Sequence, residues 1–327
     1  MSRTFDALRD VEPLRSGPPR PVEATPRPFQ VVTVTSNKGG VGKTTLATNL
    51  AVYLRALDEE IPILVVTLDD QPAVDRMFAL DGQGATPTIA DGLRAGSLAS
   101  AIRLGQYGVH YVPSSRDVAE IKQVVRSEDV LQTVLLRTGW KGLVIIDTKS
   151  DLEVLTRNAI AAADLSLVVV KDQVSLLEAE RVFALLDRWD RPRERARVVL
   201  SLVDLRIRFR EGDAHDVLGL LVQEVRRLGL PLLETFLSRS PKVESLYTNP
   251  DGRALSILHG AQGTPVHQQM HRLAEDVRVL LGGARASGGV PPPGSADSSV
   301  AGLKRWLLHG GRLGPWSDGS SGDGGTA

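Results

Sequence analysis

The sequence predicts an α/β fold: a doubly wound, mostly parallel sheet with helices on both faces. Three observations carry this expectation. Residues 31–35 alternate apolar and polar side chains with many β-branched residues, and 36–43 form a glycine-rich turn. From Thr44 an apolar stripe at Leu46, Leu50, Tyr53, Leu54 and Leu57 follows, so strand, loop and amphipathic helix come in that order. Residues 61–68, 143–146 and 165–170 are almost wholly apolar, as suits strands buried on both faces of a parallel sheet. Strand-like and helix-like patterns then alternate as far as residue 281.

Taken in order, the remaining elements read as a helix over 86–102, a strand over 109–115 and a helix over 117–136. A helix over 176–189, a strand over 198–203, a helix over 217–228 and a last strand over 231–237 follow. The closing helix, 265–281, places Val266, Met270, Leu273, Ala274 and Val277 on one face. These elements fit one domain over 29–282. Residues 1–28 are rich in proline and arginine, and 283–327 in glycine, serine and proline; both compositions predict disordered tails. Within the second tail, 299–309 is a short amphipathic segment with Val300, Leu303, Trp306 and Leu307 on one helical face. It reads as a partner-binding helix or, second, a membrane-surface one.

The glycine loop has a specific chemistry. Gly39, Gly40 and Gly42 lack a Cβ, so the backbone can turn tightly and aim its N–H groups at one anion. The helix that follows adds the partial positive charge of its N-terminus. Lys43 and Thr44 stand at P-loop spacing, where the lysine reaches the β/γ-phosphates and the hydroxyl ligates Mg²⁺. Gly39, Gly40, Val41, Gly42, Lys43, Thr44 and Thr45 are therefore the predicted nucleotide-binding stretch of a P-loop NTPase, with Mg²⁺ beside the phosphates. Asp147 ends an apolar strand, the Walker B arrangement in which a carboxylate holds the metal. Asp69 follows another apolar strand, at the edge where open α/β sheets place their ligands.

Composition excludes several classes. There is no cysteine, which removes disulfides, thiolate catalysis and cysteine-held iron–sulfur clusters together. Basic and acidic residues balance at 39 each, so any nucleic-acid or membrane surface must be a local patch. Such a patch is predicted at 205–210, where Arg206, Arg208 and Arg210 alternate with Leu205, Ile207 and Phe209. In an extended segment three guanidiniums would share one side, a DNA-phosphate candidate weighed against surface arginines paired with nearby carboxylates. The N-terminus lacks a long apolar run and reads as no secretory signal; a cytoplasmic chain is expected.

The run KGGVGKTT (38–45) resembles the deviant Walker A motif of the ParA/MinD family of dimerising ATPases. The likeness extends over roughly 30–281, including the segment from Asp147 through Ala163. The family's DxDPQ stretch matches at Asp69 and Gln71, whereas Thr67 replaces its first aspartate and Asp70 its proline. Lys149 stands where a further proline is usual.

The resemblance implies an ATP-sandwich homodimer with partner-stimulated hydrolysis. In it Lys43 would hold phosphates in cis and Lys38 in trans, Thr44 and Asp147 the magnesium, and Asp69 the attacking water and part of the metal shell. Arg239 falls in the loop that lies near the adenine. The function implied is positioning or partition of a cargo by ATP-gated binding to a matrix, non-specific nucleoid DNA or, second, membrane. A nucleotide-switched scaffold with little hydrolysis is a further reading, kept by Thr67, Asp70 and Lys149. The opening MSRTFDALR resembles bacterial tyrosine-kinase ATPase domains, but no tyrosine follows Tyr247.

Overall fold

The computed structural model describes residues 27–80, 86–207, 216–248 and 254–282. Its strands are β1 (Phe29–Thr35), β2 (Ile63–Thr67), β3 (Arg103–Leu104), β4 (His110–Tyr111), β5 (Gly142–Asp147), β6 (Leu165–Val170) and β7 (Ala196–Leu200). The helices are α1 (Lys43–Leu57), α2 (Ala73–Phe78), α3 (Ile89–Ala95), α4 (Val118–Val124), α5 (Val130–Thr138) and α6 (Val154–Ala162). They continue as α7 (Gln173–Arg188), α8 (Val217–Arg227), α9 (Pro241–Ser245), α10 (Ile257–Gly260) and α11 (Pro265–Leu280).

The strands form one sheet in the order β3-β4-β2-β5-β1-β6-β7, parallel throughout except for the β3–β4 pair. The period-two alternation of β1 divides the core. Val32 and Val34 face one side, packed with Leu46, Leu50 and Tyr53 of α1 and with Met270 and Leu273 of α11. Phe29 and Val31 face the other, packed with Ile89 and Leu93 of α3, Ile121 of α4 and Leu131 and Leu135 of α5. Every residue of β2 and β6 is buried, because helices cover both sides. Each fully buried leucine or valine in these layers contributes about 1.5–3 kcal/mol. The parallel register brings the carboxyl ends of β1, β2 and β5 level: Asp147 lies beside Val34 on one side and Thr67 on the other.

Several expected elements take a different form. The helix expected over 86–102 stops at α3, because Gly96 adopts φ 72° as its C-cap; a 3₁₀ turn and the edge strand β3 follow. The helix expected over 117–136 is two helices. Buried Asn158 of α6 holds the break, donating to the Ser127 carbonyl (2.7 Å) and accepting from Leu131 N–H (3.0 Å). The strand expected over 231–237 is an extended segment that runs beside β7 and its continuation through isolated bridges at Leu232 and Ser238, with the Leu237 N–H donating to the Leu200 carbonyl (2.8 Å) between them. Arg27, expected in the disordered leader, is tied to the fold through the Ala162 carbonyl and Asp164. Residues 1–26 of the leader and the 299–309 segment lie outside the described residues. No helix among the described residues is long and apolar enough to cross a membrane.

The expected row of three arginines is not extended where it is described. Asp204 accepts both the Arg206 backbone N–H (3.0 Å) and its guanidinium (2.9 and 2.6 Å), which curls the chain into a turn. Arg208 and Arg210 lie outside the described residues.

Fully buried Asn49 stitches the last part of the chain to α1. Its amide donates to the Thr45 carbonyl (2.8 Å) and the Tyr247 hydroxyl (3.3 Å), and its carbonyl accepts from Ile257 N–H (2.7 Å). An Asn49→Ala substitution leaves that buried N–H unpaired and should destabilise the protein by about 1–3 kcal/mol. Urea unfolding should show a lower midpoint with an unchanged slope.

Candidate functional site

The site is assembled where β1, β2, β5 and β6 end. Between β1 and α1 the chain needs two backbone conformations that side chains resist, and glycine supplies them: Gly40 has φ 66° and Gly42 φ 91°. Gly42 is also the residue before α1, and a Cβ there would approach the Ser201 hydroxyl to 3.3 Å. Val41 between them is fully buried and anchors the turn.

Asp147 is the electrostatic centre. It is fully buried, and its Oδ2 accepts from the Thr44 hydroxyl (2.8 Å) and the Thr67 hydroxyl (3.4 Å). Its Oδ1 is buried with no hydrogen-bond partner, as is the Thr35 hydroxyl at the end of β1. Burial raises the Asp147 pKa to about 7, against the opposing pull of the Thr44 hydrogen bond and the Lys43 charge. Burial likewise lowers the Lys43 pKa, although Asp147, Asp69 and Asp151 favour its charge. Thr67 does more than fill the position of a carboxylate. Besides donating to Asp147, its hydroxyl accepts from Asp69 N–H (3.2 Å), so it links the two aspartates. Burial raises the Asp69 pKa, with the neighbouring Asp70 adding to the effect.

An unpartnered carboxylate oxygen beside a threonine hydroxyl, at the mouth of a glycine turn, fits a Mg²⁺–nucleotide. The donors are hard oxygens, and Mg²⁺ is commonly held by one or two carboxylates or hydroxyls together with phosphates.

The basic side chains at this edge are already engaged. Lys43 Nζ donates to the Ser150 hydroxyl (2.6 Å) and to the Lys38 carbonyl (3.4 Å). Lys38 Nζ forms an ion pair with Asp172 (2.6 Å), whose carboxylate also caps α7 by accepting from Ser175 N–H (2.8 Å). Lys171 reaches the Gly40 carbonyl (3.3 Å), and Lys149 pairs with Asp70 (2.7 Å). The sequence reading did not include Ser150, Lys171 or Asp172. The helix expected from 176 begins at Gln173, where Asp-x-x-Ser at 172–175 is a capping pattern that the expectation did not use, and nothing local marks the distant lysine partner of Asp172.

Lys38, Lys43, Thr44, Asp69 and Asp147 are thus brought together. Arg239 lies farther along the same sheet edge, where its N–H donates to Val203 and its guanidinium pairs with Glu244 (3.0 Å). Arg206 takes no part in the site.

A carboxyl with a raised folded-state pKa contributes stability that is fully present below its ordinary value near 4 and is lost as pH rises through about 7. An Asp147→Asn variant has no such charge to bury. In thermal unfolding without nucleotide or metal, it should gain on the parent from pH 5 to pH 8 and exceed it by several degrees at pH 8.

Comparison with known proteins agrees with this geometry. Residues 29–195 match the family described as "AAA domain". The chromosome partitioning protein ParA of Caulobacter vibrioides is 31% identical over 208 residues, covering 58% of this chain and 76% of that protein. The chromosome-partitioning ATPase Soj of Thermus thermophilus is 27% identical over 256 residues, covering 76% and 96%. Among solved structures, the septum site-determining protein MinD of Pyrococcus horikoshii, complexed with Mg-ADP, has a TM-score of 0.60 at 20% identity, covering 78% of this chain and 98% of that one. At that identity the likeness is one of fold. With the P-loop, its buried aspartate and the parallel sheet in place, these matches establish that the chain belongs to the ParA/MinD family of P-loop ATPases.

Proposed function

We propose that this ATPase dimerises on ATP and positions or partitions a cargo by ATP-gated binding to non-specific DNA, with hydrolysis stimulated by a partner protein. The observation that carries the reading is the convergence of Thr44, Asp147 and Asp69 at one strand edge beneath the glycine turn. Bound Mg²⁺ would neutralise charge developing on the phosphates. The backbone of the 39–42 turn and Lys43 hold the phosphates in place. Thr44 and Asp147 supply oxygens to the metal shell, and Asp69 orients water for attack. Lys38 must leave Asp172 to reach across to a second subunit's nucleotide, so dimer closure exchanges one charged partner for another. Arg239, beside the last extended segment, is available to the base.

The DNA element of the reading is supported by the ParA and Soj relatives, whose names state chromosome partitioning. The Arg206–Asp204 pair is compatible with it, because the Arg206 side chain is 79% exposed.

A nucleotide-switched scaffold with little hydrolysis is the second reading. It is favoured by the replacement of three motif positions with Thr67, Asp70 and Lys149.

Two measurements test these assignments. Asp69→Ala should retain nucleotide binding and lose turnover by about 100-fold or more; hydrolysis at the parent rate removes Asp69 from the mechanism. Gel shift and liposome co-sedimentation, in ADP and in ATP, should be run on the parent and an Arg206→Ala/Arg208→Ala/Arg210→Ala variant. DNA binding that requires ATP and those arginines is the expected outcome. Liposome binding without DNA binding would instead make the chain a membrane-riding, MinD-like ATPase.

A further inference from the structure

Two of the motif departures turn out to be partners. Asp70 leaves β2 in the turn after Asp69, and Lys149 leaves β5 two residues after Asp147; their ammonium and carboxylate meet at 2.7 Å. β2 and β5 are adjacent parallel strands with Thr67 beside Asp147, so this pair bridges the two loops that carry the site's carboxylates.

The two loops are held very differently. The β5 loop is pinned on both sides of Lys149 by contacts that take no part in phosphate or metal binding: the Thr148 N–H and hydroxyl to the Val34 carbonyl (3.3 and 3.1 Å), and Asp151 to Lys122 of α4 (2.8 Å). Lys149 therefore projects from a fixed base. The turn at 69–71 rests on bonds within itself and to the strand end. Asp69 N–H donates to Thr67, Gln71 N–H to Asp69 Oδ1 (3.3 Å), and the Gln71 amide to Asp70 Oδ1 (2.9 Å). The other oxygen of Asp70 accepts from Lys149. Position is thus passed along a short chain, from the fixed loop through Lys149 to Asp70, through Gln71 to the carboxylate of Asp69. Proline, which occupies both places in the motif the sequence resembles, stiffens a turn by fixing φ. Here a bond across the loops stands in that role.

We propose that Lys149 and Asp70 form a clamp that positions Asp69 for hydrolysis, Lys149 acting as a positioning residue and not as a phosphate ligand. The proposal rests on the assignment of Asp69 above. With side chains 43% and 28% exposed, the pair adds little to global stability, and its effect is local.

The test uses the full chain as Lys149→Met, Asp70→Asn and the charge-swapped Asp70→Lys/Lys149→Asp. Two readouts are taken: amide hydrogen exchange at 68–71 without nucleotide, and steady-state ATP hydrolysis with kcat and KM separated. Both single variants should exchange several-fold faster at 68–71 while the global melting temperature holds. Their kcat should fall by about 10- to 100-fold with KM little changed, and the swap should recover both quantities. Unchanged exchange, or a swap no better than the single variants, overturns the clamp. An Asp70→Asn variant faster than the parent also overturns it, since a freed Lys149 would then be acting on phosphate directly. If exchange responds as expected but kcat does not move, the clamp's part in hydrolysis is overturned, and Asp69→Ala decides separately whether the assignment of Asp69 falls with it.

Discussion

Everything at the nucleotide edge depends on one buried carboxylate. Asp147 lies at the end of the central strand pair, fully enclosed, with one oxygen engaged by two threonine hydroxyls and the other without a partner. A buried unpaired acceptor costs about 1–3 kcal/mol, and more if it is charged. The fold tolerates this because two layers of helices bury the sheet around it. The cost has a functional counterpart: Asp147 would hold a divalent cation together with Thr44, and that positive charge would offset the burial of the carboxylate. The same burial that raises the Asp147 pKa lowers that of Lys43, so the charges of both depend on what enters the site.

A second constraint is that the lysines around the glycine turn are already occupied. Lys38 is bonded to Asp172, Lys43 to Ser150, Lys149 to Asp70 and Lys171 to the Gly40 carbonyl. Unpaired, these ammonium groups would repel one another across a small concave surface. Internal acceptors hold them apart and shape the cradle before any phosphate arrives. Entry of a nucleotide is then an exchange of partners, which costs less reorganisation than ordering free side chains.

The partners differ in kind, and the difference sorts their roles. Ser150 is neutral, so Lys43 can turn to a phosphate without leaving an unpaired charge behind. Asp172 and Asp70 are carboxylates. Asp172 keeps its helix-capping bonds to Ser175 when Lys38 departs. Asp70 would keep the Gln71 amide and its contact with the Asp69 carboxyl if Lys149 left it. This asymmetry fits the roles proposed above, Lys38 as the lysine that moves and Lys149 as the one that stays.

The sequence by itself determined the parallel two-faced sheet, the glycine turn and the residues Lys43, Thr44, Asp69 and Asp147. Each of these is written locally: in the alternation of 31–35, in the apolar runs of the inner strands, and in the spacing of glycine, lysine and threonine ahead of an amphipathic stripe. What only the tertiary structure decided lies in contacts between distant segments. Asn158 breaks a helix that periodicity alone would continue through 117–136, because it arrives from another helix to bind backbone groups at the break. The arginine row at 205–210 reads as extended until Asp204 turns Arg206 back on itself. Lys149 and Asp70 read as two unrelated departures, 79 positions apart, until the β2–β5 register sets them face to face. Lys38 and Asp172 meet across 134 positions for the same reason. Propensity and periodicity act over a few residues, whereas strand register fixes which distant side chains share an edge.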